Sequence, residues 1–309
     1  MKPPLRTVVT IGTFDGVHVG HAALIRRARV IADRPGSTAH VVAMCFDPHP
    51  LTRVNPPAAP PRLTTFERRA ELLGLAGADE VIRLEPTVRL LSLTPEEFID
   101  HVVQDLKPVA IVEGPDFRFG RLRAGDVAML ESFGPKRGFE VHIASPVESV
   151  MTDCTVAAAS STLARWLVGE GRVRDAAAVL GRDYEVDGTV VKGDQRGRQL
   201  GYPTANVQTD CLLPADGVYS GVGVLPDGRE IAAAISVGTK PMFDGAARVL
   251  EAHLLGRPNL SALPEYGWDI RVRVSHWLRD QMKFDSIDEL KRQIESDCRR
   301  SMPAGVVTA

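Results

Sequence analysis

A segment rich in glycine and histidine near the start of the chain combines groups that suit the binding of a phosphate. Gly12–His21 reads GTFDGVHVGH and directly follows a short apolar run, Val8–Ile11. Glycines let a backbone approach an anion closely, and the N–H groups at a helix start carry partial positive charge. His18 and His21 are three residues apart, so on a helix they would share one face and could both hold phosphate oxygens. The alternative is a strand-to-helix turn with two incidental histidines.

A second polar cluster lies in the later half of the chain, where Gly193–Asn206 reads GDQRGRQLGYPTAN. Backbone donors at Gly197, a cation at Arg198, a hydroxyl at Thr204 and an amide at Asn206 are close together in sequence. Hard oxygen ligands of this kind suit Mg²⁺, with neighbouring nucleotide phosphates completing the octahedron. The alternative for any one of these residues is an ordinary hairpin turn.

A third group of polar side chains begins a predicted helix between the two halves. Ala159–Arg165 reads ASSTLAR. The hydroxyls of Ser161 and Thr162 would cap the helix and donate to a phosphate, and Arg165 would reach the same anion. Taken alone, the alternative is a plain N-cap.

The first half of the chain alternates strand-like and helix-like segments, which predicts a parallel sheet with crossover helices, a Rossmann-like doubly wound α/β domain. In such a sheet, ligands bind at the carboxyl ends of the strands. The predicted strands are Val8–Ile11, His40–Cys45, Glu80–Leu84, Val109–Val112 and Phe139–Ala144, and the predicted helices are Ala22–Ala32, Thr65–Leu75, Pro95–Leu106 and Gly125–Phe133. Four prolines between Thr52 and Pro61 predict an extended loop.

After about Arg182 the pattern changes to short strands separated by Gly, Pro and Asp, which predicts an antiparallel β-barrel or sandwich. The strand candidates read YEVDGTVV, GVYSGVGVL, EIAAAISV, RVLEAHLL and WDIRVRV, with turn signals at Asp187-Gly188, Asp216-Gly217 and Asp227-Gly228. Ser160–Leu180 would join the halves as one or two helices. A last helix over Ser286–Asp297 begins with a capping box from Ser286 to Glu289. The predicted domains are residues 1–181 and 182–309.

The composition of the chain limits its class and its partners. Its 309 residues are 44% hydrophobic and 25% charged, with a formal net charge of -2, so two globular domains are expected and a disordered or collagen-like chain is excluded. This balance gives no overall attraction to nucleic acid or to an anionic membrane. The four cysteines are scattered without a CxxC pair, and no apolar run reaches the roughly 18 residues of a membrane span. We therefore expect a cytoplasmic protein with reduced thiols; its oligomeric state is not predicted.

Three motifs in the first half together resemble a known family. The run G-x-FDG-x-H-x-GH, then FDPHP at Phe46–Pro50, then GPDFRFG at Gly114–Gly120, resembles the FMN adenylyltransferase module of bacterial bifunctional riboflavin kinase/FAD synthetases. The resemblance implies that His18 and His21 contact the ATP phosphates. It also implies a nucleotide site that includes Gly12, Phe14, Asp15, Gly20, Ser161, Thr162 and Arg165, and a flavin site that includes Asp47, His49, Asp116 and Phe117. By themselves, Asp47 and His49 could equally be solvated turn residues, and Leu163 stands where the family usually has a basic residue.

The later half resembles the riboflavin kinase domain of the same enzymes, through G-x-V-x-x-G-x-x-x-GR-x-LG-(F/Y)-PTAN and the segment Leu250–Leu255. The resemblance implies that Thr204 and Asn206 bind Mg²⁺ and an ATP phosphate. It also implies that Glu251 is the base for the riboflavin 5′-hydroxyl, with Gly197 and Arg198 at the nucleotide and Tyr266 at the flavin. Gly256–Pro264 departs from the family pattern.

Together the resemblances imply a bifunctional enzyme that phosphorylates riboflavin to FMN with MgATP and then transfers AMP from ATP to FMN, giving FAD and pyrophosphate. Two alternatives stay open: a member that keeps one of the two activities, because of Leu163 or the altered loop, and a non-enzymatic protein that binds flavin or nucleotide on the same scaffold. No residue in the first half stands out as a covalent nucleophile, and direct transfer needs none.

Overall fold

The computed structural model describes residues 6–35, 39–193, 195–242, 245–256 and 258–302. Packing divides these residues into two compact units. The first unit takes in the described residues of Met1–Pro60, Phe66–Ser149 and Ala157–Ser161, and the second those of Pro61–Thr65, Val150–Val156 and Thr162–Ala309. Because this division follows packing and leaves the functional limits of each half open, the boundary at residues 181 and 182 stays a prediction.

The first unit is a five-stranded parallel sheet with helices on both faces, as the sequence predicts. Its elements are β1 (Thr7–Gly12), α1 (Val19–Ala32), β2 (His40–Phe46), α2 (Leu51–Val54), α3 (Phe66–Ala76), β3 (Glu80–Leu84), α4 (Val88–Ser92), α5 (Pro95–Leu106), β4 (Pro108–Glu113), α6 (Val127–Arg137) and β5 (Glu140–Ile143). The strand order is β3-β2-β1-β4-β5. A small two-stranded sheet follows, formed by β6 (Glu148–Val150) and β7 (Val156–Ala158).

Alternation along the strands gives each face of the sheet its own apolar core. In β1, Val8 packs with Ile25 of α1, whereas its neighbour Val9 packs on the opposite face with Ile99 of α5. Successive side chains of a strand point to opposite faces, so a strand covered on both sides reads as a continuous apolar run. This is why β1 and β2 could be recognised from sequence.

The second unit is a closed six-stranded antiparallel barrel, which decides between the two β architectures that the sequence left open. Its elements are α7 (Ser161–Gly169), α8 (Val173–Leu180), β8 (Tyr184–Val191), α9 (Arg196–Leu200), β9 (Ala205–Gln208), β10 (Gly217–Val224), β11 (Glu230–Met242), β12 (Gly245–Leu254), β13 (Asp269–Arg279) and α10 (Ile287–Ser301). The barrel order is β10-β11-β12-β9-β8-β13. Tyr219, Ile235, Leu250 and Val272 are among its fully buried side chains.

A short piece of the first half of the chain is built into the second unit. The carbonyl oxygen of Arg62 accepts the N–H of Leu212 at 2.7 Å. The hydroxyl of Tyr184, itself buried, lies 3.3 Å from the carbonyl oxygen of Leu63 and 2.7 Å from that of Leu212. Pro61–Thr65 is therefore part of the packing of the barrel unit.

Two local predictions are wrong. Thr52–Pro61 is not an extended loop, because α2 and a 3₁₀ turn at Pro56–Ala58 occupy most of it; proline suits the first turn of a helix, where its missing N–H is not needed. Asp187-Gly188 is not a turn but lies inside β8, where Asp187 pairs with Arg271 at 2.7 Å. A Cβ at Gly188 would lie 2.4 Å from the carbonyl oxygen of Gln208, so this glycine serves close strand packing.

The predicted last helix is present as α10, and Ser286 accepts the N–H of Glu289 at 3.2 Å. The other half of the capping box differs, since Glu289 accepts the N–H of Asp285 at 3.3 Å. Besides α2, the short elements α4, β6, β7, α9 and β9 were missed. Within the described ranges, no helix is both long enough and apolar enough to cross a membrane.

Candidate active sites

The loop between β1 and α1 is closed by the side chain of His18, which caps the helix. His18 has extended backbone angles, and its Nδ1 accepts the N–H groups of Gly20 at 3.1 Å and His21 at 3.4 Å. A ring nitrogen that accepts carries no proton, so the neutral imidazole holds its proton on Nε2. His18 is therefore an oriented donor at the carboxyl end of the sheet.

The glycine of the histidine motif has a steric reason. A Cβ at Gly20 would lie 3.0 Å from Nδ1 and Cε1 of the His18 ring, so a larger residue would push the cap away. The ring of His21 stacks on that of His18, with centroids 3.6 Å apart and planes inclined by 26°. Phe14 meets His21 edge-on at 5.1 Å and lies 3.2 Å from where a Cβ on Gly12 would be. Gly12, Phe14, Gly20 and both histidines thus form one compact group.

Ser161, which packs with the first unit, bonds to the same loop. The hydroxyl of Ser161 donates to the carbonyl oxygen of Asp15 at 2.7 Å, and Asp15 is itself buried. Thr162 and Arg165 fall in the second unit, where Nε of Arg165 donates to the carbonyl oxygen of Pro61 at 2.8 Å. Their predicted contact with an ATP phosphate stays a prediction.

The FDPHP segment is held in place by side chains and is not a solvated turn. Asp47 is 7% exposed and forms an ion pair with Arg69, with 2.6 Å between Oδ1 and Nη2. Nδ1 of His49 accepts the N–H of Leu51 at 3.1 Å, which leaves the Nε2 proton of the neutral ring as a donor. Among the other predicted flavin residues, Asp116 is exposed, and Phe117 stacks on Phe119 at 5.3 Å.

A buried acid at the switch point of the sheet was missed by the sequence reasoning. The strand order changes direction between β1 and β4, which is where open α/β sheets bind ligands. Glu113 ends β4 and is 3% exposed, and its Oε1 accepts the N–H of Ile11 at 2.6 Å. Burial raises the pKa of Glu113 well above the usual range, and the hydrogen bond from Ile11 opposes this only in part. The only feature of the sequence that points to Glu113 is its position as an acidic residue directly after the apolar run Val109–Val112.

In the second unit, the predicted base and a predicted metal ligand are direct neighbours across two strands. Glu251 of β12 lies opposite Asn206 of β9 in the antiparallel register. Residues directly opposite each other project to the same face of a sheet. The adjacent residues Leu250 and Ala252 are fully buried in the barrel core, so Glu251 and Asn206 face outward. Barrel closure therefore brings together residues that are 45 positions apart in the sequence.

Two glycines allow the PTAN segment to fold tightly against its neighbours. A Cβ at Gly193 would lie 2.4 Å from the amide atoms of Asn206, and one at Gly197 would lie 2.4 Å from the carbonyl oxygen of Tyr202. The N–H of Tyr202 donates to the carbonyl oxygen of Gly197 at 2.8 Å. These glycines fix how close the backbone comes to Thr204 and Asn206.

A cavity of about 830 Å³ lies beside this segment. Four predicted site residues line it, namely Arg198, Thr204, Asn206 and Tyr266. Arg198 pairs with Glu265 at 2.9 Å, and Nε2 of Gln195 donates to the hydroxyl of Tyr266 at 2.8 Å.

His253, a residue missed from sequence, also lines this cavity, and its Nδ1 lies 2.7 Å from the carbonyl oxygen of Pro203. Asp194 of the segment Gly193–Asn206 and Arg257 of the segment Gly256–Pro264 lie outside the described residues.

Comparisons with known proteins find two families in the order of the two units. The chain matches FAD synthetase over residues 2–157 and riboflavin kinase over residues 180–303. The bifunctional riboflavin kinase/FMN adenylyltransferase of Escherichia coli (strain K12) is 35% identical over 294 residues, which are 94% of this chain and 90% of that protein. The enzyme of the same name from Pseudomonas fluorescens is 37% identical over 293 residues, again 94% and 90% of the two chains. A solved structure, described as a macrolide-efflux protein from Streptococcus pneumoniae, is 30% identical and covers 97% of this chain and 95% of its own, with a TM-score of 0.85.

Proposed function

We propose which residues carry each of the two activities of this chain, which belongs to the family of bifunctional riboflavin kinase/FMN adenylyltransferases. It is a transferase with kinase and nucleotidyltransferase activities, and riboflavin, FMN and ATP are its substrates. The kinase reaction is assigned to the second unit, and residues 182–309 are its functional limits. The FMN adenylyltransferase reaction is assigned to residues 1–181, which contain the parallel sheet.

The cross-strand pair of Glu251 and Asn206 is the observation that carries the kinase assignment. Glu251 accepts the proton of the riboflavin 5′-hydroxyl as its oxygen attacks the γ-phosphorus of ATP, so that FMN and ADP are formed. Phosphoryl transfer depends mainly on positioning and charge neutralisation, and one carboxylate near the hydroxyl is the only base it needs. Thr204 lines the adjacent cavity with Asn206, Arg198 and Tyr266, which supports nucleotide and flavin sites there.

The residues at this site fit Mg²⁺. The Thr204 hydroxyl, the Asn206 amide oxygen and neighbouring phosphate oxygens are hard donors, and Gly193 gives Asn206 the space it occupies. Thr204 and Asn206 would hold the ion, which when bound supplies neutralisation of phosphate charge. Gly197 and Arg198 contribute a backbone donor and a cation on the nucleotide side.

In the first unit, the FMN phosphate attacks the α-phosphorus of ATP and pyrophosphate leaves. The cap that Nδ1 of His18 makes fixes the orientation of the ring with its proton on Nε2, which supports a role for this ring in stabilising charge on the phosphates. His21 stacks on it and is proposed to act with it. The nucleotide site further includes Gly12, Phe14, Asp15, Gly20, Ser161, Thr162 and Arg165, and the flavin site includes Asp47, His49, Asp116 and Phe117.

One incubation tests the assignment of the two reactions to the two units. The protein is mixed with riboflavin, ATP and Mg²⁺, and riboflavin, FMN and FAD are separated by chromatography. Glu251→Gln should abolish FMN formation from riboflavin but still convert supplied FMN to FAD. His21→Ala should abolish FAD formation and still make FMN, so each variant is the other's control. If the losses are exchanged, the assignment of the two units is wrong.

The same experiment tests the role of Mg²⁺ and the single-activity alternative. Chelation with EDTA should stop FMN formation, and added Mg²⁺ should restore it. FMN without FAD from the unsubstituted chain would favour a member with only the kinase activity.

We also propose a cytoplasmic location, which is supported by four cysteines that form no disulfide, and small-molecule substrates without a nucleic-acid partner.

A further inference from the structure

A buried arginine of α3 joins the two loops that carry the candidate ATP and flavin residues of the first unit. Arg69 is 3% exposed. Its Nη1 donates to the carbonyl oxygens of Thr13 at 2.8 Å and Phe46 at 3.1 Å, and its Nη2 donates to Oδ1 of Asp47 at 2.6 Å. One guanidinium thus bonds to the chain just after β1 and just after β2.

These two attachment points lie at the carboxyl ends of neighbouring strands. β1 and β2 are parallel, and Gly12 lies opposite Cys45 in their register. Thr13 begins the loop that leads to the His18 cap, and Asp47 begins the segment that leads to His49. The guanidinium therefore fixes the separation of the two loops at the edge where the strands end.

Lysine would not reproduce this arrangement of bonds. A guanidinium presents donors on separate nitrogens in a rigid plane, whereas the three donors of an ammonium all leave one nitrogen at the end of a flexible chain. Asp47 balances the buried charge, with Nε of Arg83 a further 3.7 Å from its other oxygen. Since the Arg69 side chain is buried and its Nη atoms are bonded to protein, it acts on substrates through the groups that it holds, chiefly Thr13, Phe46 and Asp47.

We propose that Arg69 is a positioning residue for FMN adenylylation, which sets the ATP-phosphate loop and the flavin segment at the distance that in-line attack requires. The inference rests on the proposed assignment of this reaction to the first unit. A displacement of about 1 Å between reacting groups can cost about 100-fold in rate even when each substrate still binds. Loss of Arg69 should therefore lower kcat and leave both KM values nearly unchanged.

The test measures FAD formation from FMN and ATP by the whole chain carrying Arg69→Met or Arg69→Lys. For Arg69→Met we expect kcat to fall by at least about tenfold, with KM for ATP and for FMN changed by less than about threefold. Arg69→Lys keeps the charge without the fork and should give an intermediate kcat. Binding of FMN, followed by its own fluorescence, should persist in both variants.

Arg29→Met is the matched control. Arg29 lies on α1 of the same unit and bonds Asp79 at 2.7 Å and Asp33 at 2.9 Å, but its other contact, with the carbonyl oxygen of Ala39 at 3.4 Å, lies at the amino end of β2. Its removal deletes two ion pairs, more exposed than that of Arg69 with Asp47, at the opposite ends of the strands, so kcat should stay within about twofold.

The outcomes separate this inference from the proposed function. If Arg69→Met keeps kcat, or if both KM values rise with kcat unchanged, Arg69 is not a positioning residue. An equal loss of kcat in Arg29→Met would also refute it, because the effect would then be one of general stability. If Arg69→Met fails to fold, Arg69→Lys decides by the same split between kcat and KM. If His21→Ala makes FAD normally, the proposed assignment fails whatever Arg69 does.

Discussion

Replacing Glu113 by glutamine should change the way in which the stability of the first unit depends on pH. Glu113 is buried, and its pKa is raised well above the usual carboxyl range because its charged form is removed from water. In the folded unit it therefore keeps its proton to a higher pH than in the unfolded chain. In the parent chain the N–H of Ile11 donates to Oε1 of Glu113 at 2.6 Å. Glutamine offers the same carbonyl acceptor but does not titrate.

The sign and size of the effect follow from proton linkage. Between the unfolded pKa, about 4.3, and the folded one, the folded state binds more protons than the unfolded state, so the free energy of unfolding falls as pH rises. The steepest fall for one group is about 1.4 kcal/mol per pH unit. Over the interval between the two pKa values, the gap in stability between Glu113→Gln and the parent chain should therefore widen as pH rises, by at most about 1.4 kcal/mol per pH unit. The gap should close below the unfolded pKa.

The assay must report on the first unit, and tryptophan fluorescence does not, because Trp166, Trp268 and Trp277 all lie in the second. Cys45 serves instead. It is fully buried in β2, and burial raises the pKa of its thiol to about 11, so it reacts with a maleimide only when the unit opens. Labelling of the Cys45 peptide is measured by mass spectrometry across a urea series at each pH.

A second variant separates titration from the hydrogen bond. Compared with Glu113→Gln, Glu113→Leu removes the acceptor for the Ile11 N–H and should be less stable by about 1–3 kcal/mol at every pH. Like glutamine, leucine has no titrating proton, so its stability should not fall between pH 6 and pH 8 through this site. Parallel pH dependences of the parent chain and Glu113→Gln would show that Glu113 does not retain its proton and would refute the reasoning.

Two further predictions concern glycines whose missing Cβ leaves room for a site residue. Gly20→Ala would place a Cβ 3.0 Å from the His18 ring, so FAD formation should fall by at least about tenfold while FMN formation is kept. Gly74→Ala is the control, because a Cβ there meets nothing within 4 Å, and it should change neither activity. Gly193→Ala would place a Cβ 2.4 Å from the Asn206 amide, so FMN formation should fall by at least about tenfold with FAD formation from supplied FMN unchanged. Chromatography of the products measures both, and equal loss of both activities in either variant would contradict the argument.

The elements that sequence predicts well are those with a strong local signal. The apolar run in β1 and the turn at Asp227-Gly228, where Gly228 has a φ of 84°, were both recognised. α5 begins at Pro95 as predicted, with Thr94 and Glu97 completing a capping box. By contrast, β9 has four residues and directly follows Pro203-Thr204, so the strand is too short for its alternation of side chains to be recognised.

The supporting residues of the candidate sites could not be predicted, because their meaning depends on distant neighbours. Arg69 bonds Thr13, 56 positions away, and Glu113 bonds Ile11, 102 positions away. In sequence, Arg69 belongs to an ordinary charged helix and Glu113 ends an apolar run. Only the sheet order, which sets β1 between β2 and β4, brings either residue to the loop that carries His18.

The two sites also differ in what holds their residues together. The first depends on side chains that bridge separate loops, whereas the second depends on strand register. If β9 slipped by one residue against β12, Ala205 or Val207 would lie opposite Glu251, and Asn206 would turn toward the barrel interior. Closure of the barrel opposes such a slip, since β9 also pairs with β8 through Asn206 opposite Val191. The pairing of Glu251 with Asn206 is therefore held by the closed barrel, while the separation of the loops after β1 and β2 depends on the single buried side chain of Arg69.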